Sequence, residues 1–344
     1  YTRHPETSLV EDVESEELEE GTWLSEAALW THWFHVGSSV ATSDCQLVLV
    51  QAQVLVELMQ RHRNIRDVAS VVATTFHQLL VNADVDPSEV TDVVVPRARF
   101  EDVMFWLPGE AKSLFGRAAL VQELSRTKNK SAQRMLEDLQ SEVLSNRCLV
   151  FLLGEGDLRR VISVTSARIT LDNDLILSAM GTVEGGRVTS GCRLPSITRT
   201  FGEELDESFM KLISKKLCLV SGSLERVGEP VLIEGDWEDD KRFGVKSKFV
   251  RTICHMKFLC EPQSLGTCVR AKSDRKVTHR KHIVPENVFA VETRTHHDVP
   301  RWVYYTWLTH TDFETWSDPQ HAKVLHDMVL NWEVRVPEDA QAVR

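Results

Sequence analysis

Apolar residues set the chain's rhythm, and their spacing changes character along it. Val54, Leu55, Leu58 and Met59 recur at helical spacing, and Ile65, Val68, Val72, Phe76, Leu79 and Leu80 continue it. Two amphipathic helices, each covering one apolar face, are predicted there. Ahead of them, residues 46–50 are apolar and partly β-branched, and read as a strand. Asp86 followed by Pro87, Ser88 and Glu89 marks a helix start with proline at its first position. Residues 96–108 read as a connector and 111–144 as a helical run, most flexible over 125–131.

From Cys148 the period drops toward two. Residues 148–153, 159–171 and 174–183 are β-rich, with Asn173 and the Gly185-Gly186 pair near turns. Phe209, Leu212 and Ile213 then supply one helix face. Residues 236–243 read as an acidic loop, 249–259 as an alternating strand, and 261–282 as a basic loop. Residues 288–291 and the aromatic run 302–308 have strand character. A last helix is predicted within 319–332, its face carrying Ala322, Leu325, Met328, Val329 and Trp332. No internal repeat of fixed period stands out.

Size and charge narrow this picture. A chain of 344 residues is long enough for two domains with their own cores. No apolar run approaches the ~20 residues that span a bilayer. The net charge of −11 argues against general nucleic-acid binding, which needs a basic face to displace counterions. Residues 11–20 hold seven carboxylates and no cation, an acidic, solvated lead-in. The seven cysteines are odd in number and scattered, which points to reduced, buried thiols and a cytoplasmic setting. The chain opens on tyrosine, partway into what reads as a domain. A fragment of a longer product is therefore expected, with a membrane region upstream left open.

Motifs for common chemistries are missing. There is no Gly-x-Ser-x-Gly elbow and no Walker-type glycine loop. Residues 82–89 lack the turn glycine and distal glutamate of a calcium loop. His279, His282, His296 and His297 lack the compact paired spacing of a zinc site.

Two stretches resemble known families. Ser25-Glu26-Ala27-Ala28-Leu29 has the glutamate, alanine and leucine of a phosphate-binding cassette, with Ser25 placed to cap a short turn. It is followed by apolar runs and then helices, an order that resembles the second half of a cyclic-nucleotide-binding domain. The resemblance implies that Glu26 faces the ribose hydroxyl, and it places Ala28, Leu29 and Ser38 at the ligand. At the position of the family's phosphate-binding arginine this chain has His35, which is mostly uncharged at neutral pH. Trp23, Trp30 and Trp33 add bulk where the cassette is small, and are expected to fill a barrel core.

Leu194-Pro195, Gly202-Glu203 and the following helix resemble a Nudix domain in order and spacing. The family's magnesium-binding glutamates are absent. Residues 211–216 read Lys-Leu-Ile-Ser-Lys-Lys. Leucine cannot ligate, and lysines repel a divalent ion. Lys211, Lys215 and Lys216 are instead candidates for binding phosphate directly.

The fold expected from these readings is α+β. Residues 1–20 are the acidic lead-in, and 21–82 a partial, cyclic-nucleotide-binding-like β-barrel with closing helices. Residues 83–147 form a helical connector, 148–336 a Nudix-like α/β sandwich, and 337–344 a tail. The function expected is a non-catalytic regulatory or interaction module, a pseudoenzyme with no cofactor, metal or catalytic residue and an unspecified protein partner. One alternative is a cyclic-nucleotide sensor built on Glu26, Ala28, Leu29, His35 and Ser38. The other is a Nudix-type hydrolase, disfavoured by Leu212, Lys215 and Lys216.

Overall fold

The computed structural model describes residues 1–82, 85–153, 156–171, 175–217, 221–259, 267–271, 288–294 and 300–334. The chain divides into two units. The first is Tyr1–Arg160 with Lys241–Val245, and the second Val161–Asp240 with Lys246–Arg344. Both helix and strand are present throughout, so the protein is of mixed α+β class.

The first unit is mainly helical. Strands β1 (Thr2–Arg3), β2 (Glu14–Ser15) and β3 (Gly37–Ser38), two residues each, pair antiparallel in the order β2-β1-β3. A single 3-10 turn covers Glu26–Leu29. Then come α1 (Ala52–Arg61), α2 (Arg63–Leu80), a 3-10 turn at Pro87–Glu89, α3 (Phe100–Trp106), α4 (Gly109–Arg126), α5 (Lys130–Leu144) and β4 (Leu149–Leu152). Local chemistry sets several of these starts. The Asp86 carboxylate accepts the Ser88 N–H at 2.9 Å, and Asn129 Oδ1 accepts the Ser131 N–H at 2.8 Å. Helix periodicity then buries Val103 and Met104 of α3, Ala119 and Leu120 of α4, and Leu136, Leu139 and Val143 of α5.

The segment Lys241–Val245 joins this unit through an ion-pair cluster in which Glu142 and Arg160 are buried and Arg242 is exposed. Glu142 on α5 accepts from Arg160 at 2.5 Å and from Arg242 at 3.4 Å. Both guanidinium groups lie over the Phe243 ring, at 4.7 and 4.6 Å from its centroid. Cationic faces on an aromatic ring, and a shared carboxylate, compensate one another's desolvation.

Several expectations need correcting here. Residues 21–82 form no barrel, because their only strand is the two-residue β3. Residues 46–50 have strand composition but, among the described residues, no strand to pair with, and Val48 and Leu49 are 90% and 85% exposed. Trp23 is 62% exposed and fills no core. The acidic lead-in is not purely a solvated tail, since β1 and β2 pair within it and Arg3 bonds Glu14. Residues 96–108 contain α3, which the flanking prolines concealed.

The second unit is a sheet covered by helices. It contains β5 (Leu158–Leu171) from Val161 onward, β6 (Leu175–Glu184), β7 (Arg187–Arg193), β8 (Ser196–Thr198), α6 (Leu205–Lys216), β9 (Leu224–Arg226), β10 (Val231–Glu234) and β11 (Glu238–Asp240). There follow β12 (Val245–Phe258), β13 (Thr267–Ala271), β14 (Phe289–Arg294), β15 (Pro300–Leu308), α7 (His310–Ser317), α8 (Ala322–Leu330) and β16 (Trp332–Val334). Neighbours along the sheet run β10-β12-β5-β6-β15-β14-β13-β16, with β7 beside β6, β8 beside β5, and β9 and β11 beside β12.

Alternation along the strands gives the sheet two buried faces. Ala167, Ile169, Phe289, Val291, Val303 and Tyr305 pack with Leu212, Ile213 and Leu217 at α6. Val288, Ala290 and Tyr304, one residue out of step, pack with Trp316 of α7 and Leu325, Met328 and Val329 of α8. At Gly181 an added Cβ would lie 2.8 Å from the Thr189 carbonyl oxygen and 3.0 Å from Val329 Cγ2, so α8 approaches β6 where no side chain intervenes. The predicted basic loop and the four histidines considered for zinc lie outside the described residues, apart from the strand β13.

Candidate functional site

Strand period and helix period together build a cationic pocket in the second unit. Arg301, Val303 and Tyr305 are two apart on β15 and so share the α6-facing side of the sheet. Tyr305 pairs with Ala179 of β6, and Ala179 pairs on its other side with Arg193 of β7. Lys216, in the last turn of α6, reaches the same place. Its Nζ donates to the Ser196 carbonyl at 2.5 Å.

These groups line a cavity of about 140 Å³. Thr182, Thr189 and Ser190 add hydroxyls, and the Leu194-Pro195 turn forms part of its wall. Among the described residues no carboxylate lines it. Burial, then the nearby positive charge of Arg301, brings the Lys216 ammonium down to about 8. Arg301 has Glu184 at 3.9 Å, and its Nε is buried without a hydrogen-bond partner.

Of the three lysines proposed from sequence, only Lys216 reaches this cavity. Lys211 and Lys215 are four apart and share one face of α6, while Lys216 is turned about 100° further round. Lys211 is held at 2.9 Å by both Glu203 and Glu207, and those hydrogen bonds, Glu207 first, raise its pKa. Lys215 is exposed. Arg193 and Arg301 escaped the sequence reading. The available signal was a cation at the head of an alternating aromatic strand, in phase with its inward residues.

Ser25 and His35, from the cassette stretch of the first unit, meet at a different group, Asp92. Its side chain is 4% exposed. Asp92 Oδ2 accepts from Tyr1 Oη and from the backbone N–H groups of Val36 and Gly37, each at 2.9 Å. Asp92 Oδ1 accepts from Trp33 Nε1 at 2.8 Å and Ser25 Oγ at 3.3 Å, and His35 Nδ1 lies 3.1 Å away. Burial alone would raise this carboxyl's pKa. The donors, Trp33 first, outweigh burial and hold it below the usual carboxylate value.

His35 therefore has its Nδ1 at Asp92, and Ser25 does not cap the turn at Glu26. Glu26 lines a cavity of about 70 Å³ together with Phe76, Asp92 and Arg99, but Ala28, Leu29, His35 and Ser38 do not. Such a volume has room for a few waters. Ser38 is exposed in β3, and Ala28 and Leu29 lie in the 3-10 turn.

Other chemistry is limited. Burial pushes the Cys148 thiol up to about 12 and the Cys192 thiol up to about 11, so neither is an accessible thiolate. Among the described residues there is no cluster of three or more metal-ligating side chains. Among them, too, no helix is long and apolar enough to cross a membrane.

No family model matches the chain, and no curated protein does. Among solved structures, a NUDIX hydrolase from Nitrosomonas europaea is similar to 52% of this chain over 94% of its own length, at 11% identity and a TM-score of 0.25. That likeness is too loose to transfer residue roles, and nothing in it points to a cyclic-nucleotide-binding domain.

The expectation that the protein is not an enzyme is corrected. It rested on carboxylates missing from one helix, which speaks against one metal-dependent mechanism and leaves every other open.

Proposed function

We propose that the chain is a regulatory module whose second unit recognises a small anion in the pocket lined by Lys216, Arg193 and Arg301. The observation that carries this reading is a cavity whose described lining holds three cations and no carboxylate. An arginine fork suits a carboxylate or phosphate oxygen pair, and a partly buried site strengthens such contacts. Inorganic phosphate and short carboxylates match the volume of this pocket, since about 150 Å³ holds a benzene-sized molecule. The order β7, Leu194-Pro195, Gly202-Glu203, α6 supports a Nudix-like reading of this unit, with recognition by lysine and arginine in place of a magnesium ion.

Thermal unfolding in the presence of phosphate, acetate and pyruvate tests the proposal. A ligand at a hundred times its Kd stabilises by about 2.7 kcal/mol, which raises the midpoint of a unit this size by about 5–10 °C. Arg301→Gln should remove most of that rise while leaving the unliganded midpoint nearly unchanged. Equal responses of parent and variant to every anion would sink the proposal.

A further inference from the structure

The pocket holds a feature that simple anion binding does not need. Lys216 is half-buried, and its ammonium is fixed by the Ser196 carbonyl in a cavity shared with two other cations. Exposed Lys215 beside it would serve as a plain charge at no desolvation cost. A buried lysine next to an arginine is instead the arrangement that favours a neutral amine, the form that attacks carbonyl carbon.

We infer that Lys216 forms a Schiff base with a small ligand bearing both an anionic group and an aldehyde or ketone carbonyl, such as a 2-oxo acid. This rests on the anion-binding reading of the same pocket. In the neutral amine, one N–H is donated to Ser196 C=O and the lone pair remains for attack. A nitrogen–carbon bond forms as the carbonyl π bond opens, and one of the two amine protons passes from the nitrogen to the oxygen. The resulting carbinolamine loses its hydroxyl, which leaves as water with a proton from the nitrogen, and C=N remains. No oxidant, reductant or metal enters the balance. Arg301 and Arg193 hold the carboxylate, and the apolar surfaces of Val303 and Ala179 accept the short carbon chain. The amine's pKa of about 8 makes a useful neutral fraction available near neutral pH.

The test uses the full chain with pyruvate and sodium cyanoborohydride, followed by peptide mapping. One carboxyethyl group is expected on Lys216, in preference to Lys215 and Lys211. Labelling should rise with pH, level off above about 8, and be slowed by acetate, which offers the carboxylate without the carbonyl. Arg301→Gln should lower the labelling rate about tenfold or more, the loss of one charge-assisted contact. Lys216→Met should abolish it. Should that variant fail to fold, the comparison of Lys216 with Lys215 in the parent chain still decides.

If Lys216 is labelled no faster than Lys215 while acetate and pyruvate still raise the unfolding midpoint, the Schiff base is overturned and the anion pocket stands. If neither labelling nor stabilisation occurs, both fall.

Discussion

Asp92 shows how much one side chain organises in the first unit. Four side chains and two backbone amides, from Tyr1, Ser25, Trp33, His35, Val36 and Gly37, converge on one carboxylate. Replacing it with asparagine turns one acceptor oxygen into a donor facing donors. Asp92→Asn should cost about 3–5 kcal/mol, read as a fall in the denaturant midpoint near neutral pH. Because the folded pKa lies below the ordinary 3.8, the folded state takes up this proton less readily than the unfolded chain. The stabilisation is therefore complete above the unfolded value and lost as pH falls through it toward the folded one. The parent should lose stability from about pH 5 downward more steeply than the variant, and equal slopes would deny Asp92 this role. None of this was legible locally, since Asp92 sits at least 55 residues along the chain from all six of its partners and no periodicity marks a hub. Lys216 was legible as a cation on a helix that resembles a phosphate-handling one. What it shares a cavity with depends on sheet register, which a single sequence does not display.

At the scale of elements, strand and helix identity was readable where a period persisted over several turns or pleats. β12 alternates, β5, β6 and β15 are rich in β-branched and aromatic residues, and α2, α6 and α8 repeat at helical spacing, so each was foreseen in place, whereas α4 and α5 were read as one continuous helical run. α3 is a seven-residue helix between prolines, too short to display a period. Residues 46–50 show the opposite failure, a strand composition with no strand to pair with. Pairings such as Arg301 with Glu184 join positions remote in sequence, and nothing local encodes them. Gly181 is the element-level contact most sensitive to change. In Gly181→Ala the new methyl meets the backbone oxygen of Thr189, which cannot rotate away, and Val329 on α8. Overpacking of this kind costs about 1–3 kcal/mol. A urea titration should show a lower midpoint with an unchanged slope. A variant as stable as the parent would mean that α8 is not seated against β6 as described.

On the scale of the whole molecule, the two units do not follow the chain in two simple blocks. Lys241–Val245 lies within the sequence of the second unit but belongs to the first, where Phe243 is 2% exposed beneath Arg160 and Arg242. Truncating a buried phenylalanine costs about 3–5 kcal/mol, and here it also removes the ring face on which two guanidinium groups rest. Phe243→Ala should therefore act on the first unit even though its neighbours in sequence build the second. Native-state hydrogen exchange separates the two cases, because it reads the opening of each region on its own. Amides of α5 and β4 should exchange faster in the variant, while those of β6 and β15 keep their protection. Pyruvate labelling of Lys216, which depends on second-unit residues alone, should be unchanged. If instead β6 and β15 lose protection as much as α5 does, the segment stabilises the second unit, and its assignment to the first is wrong.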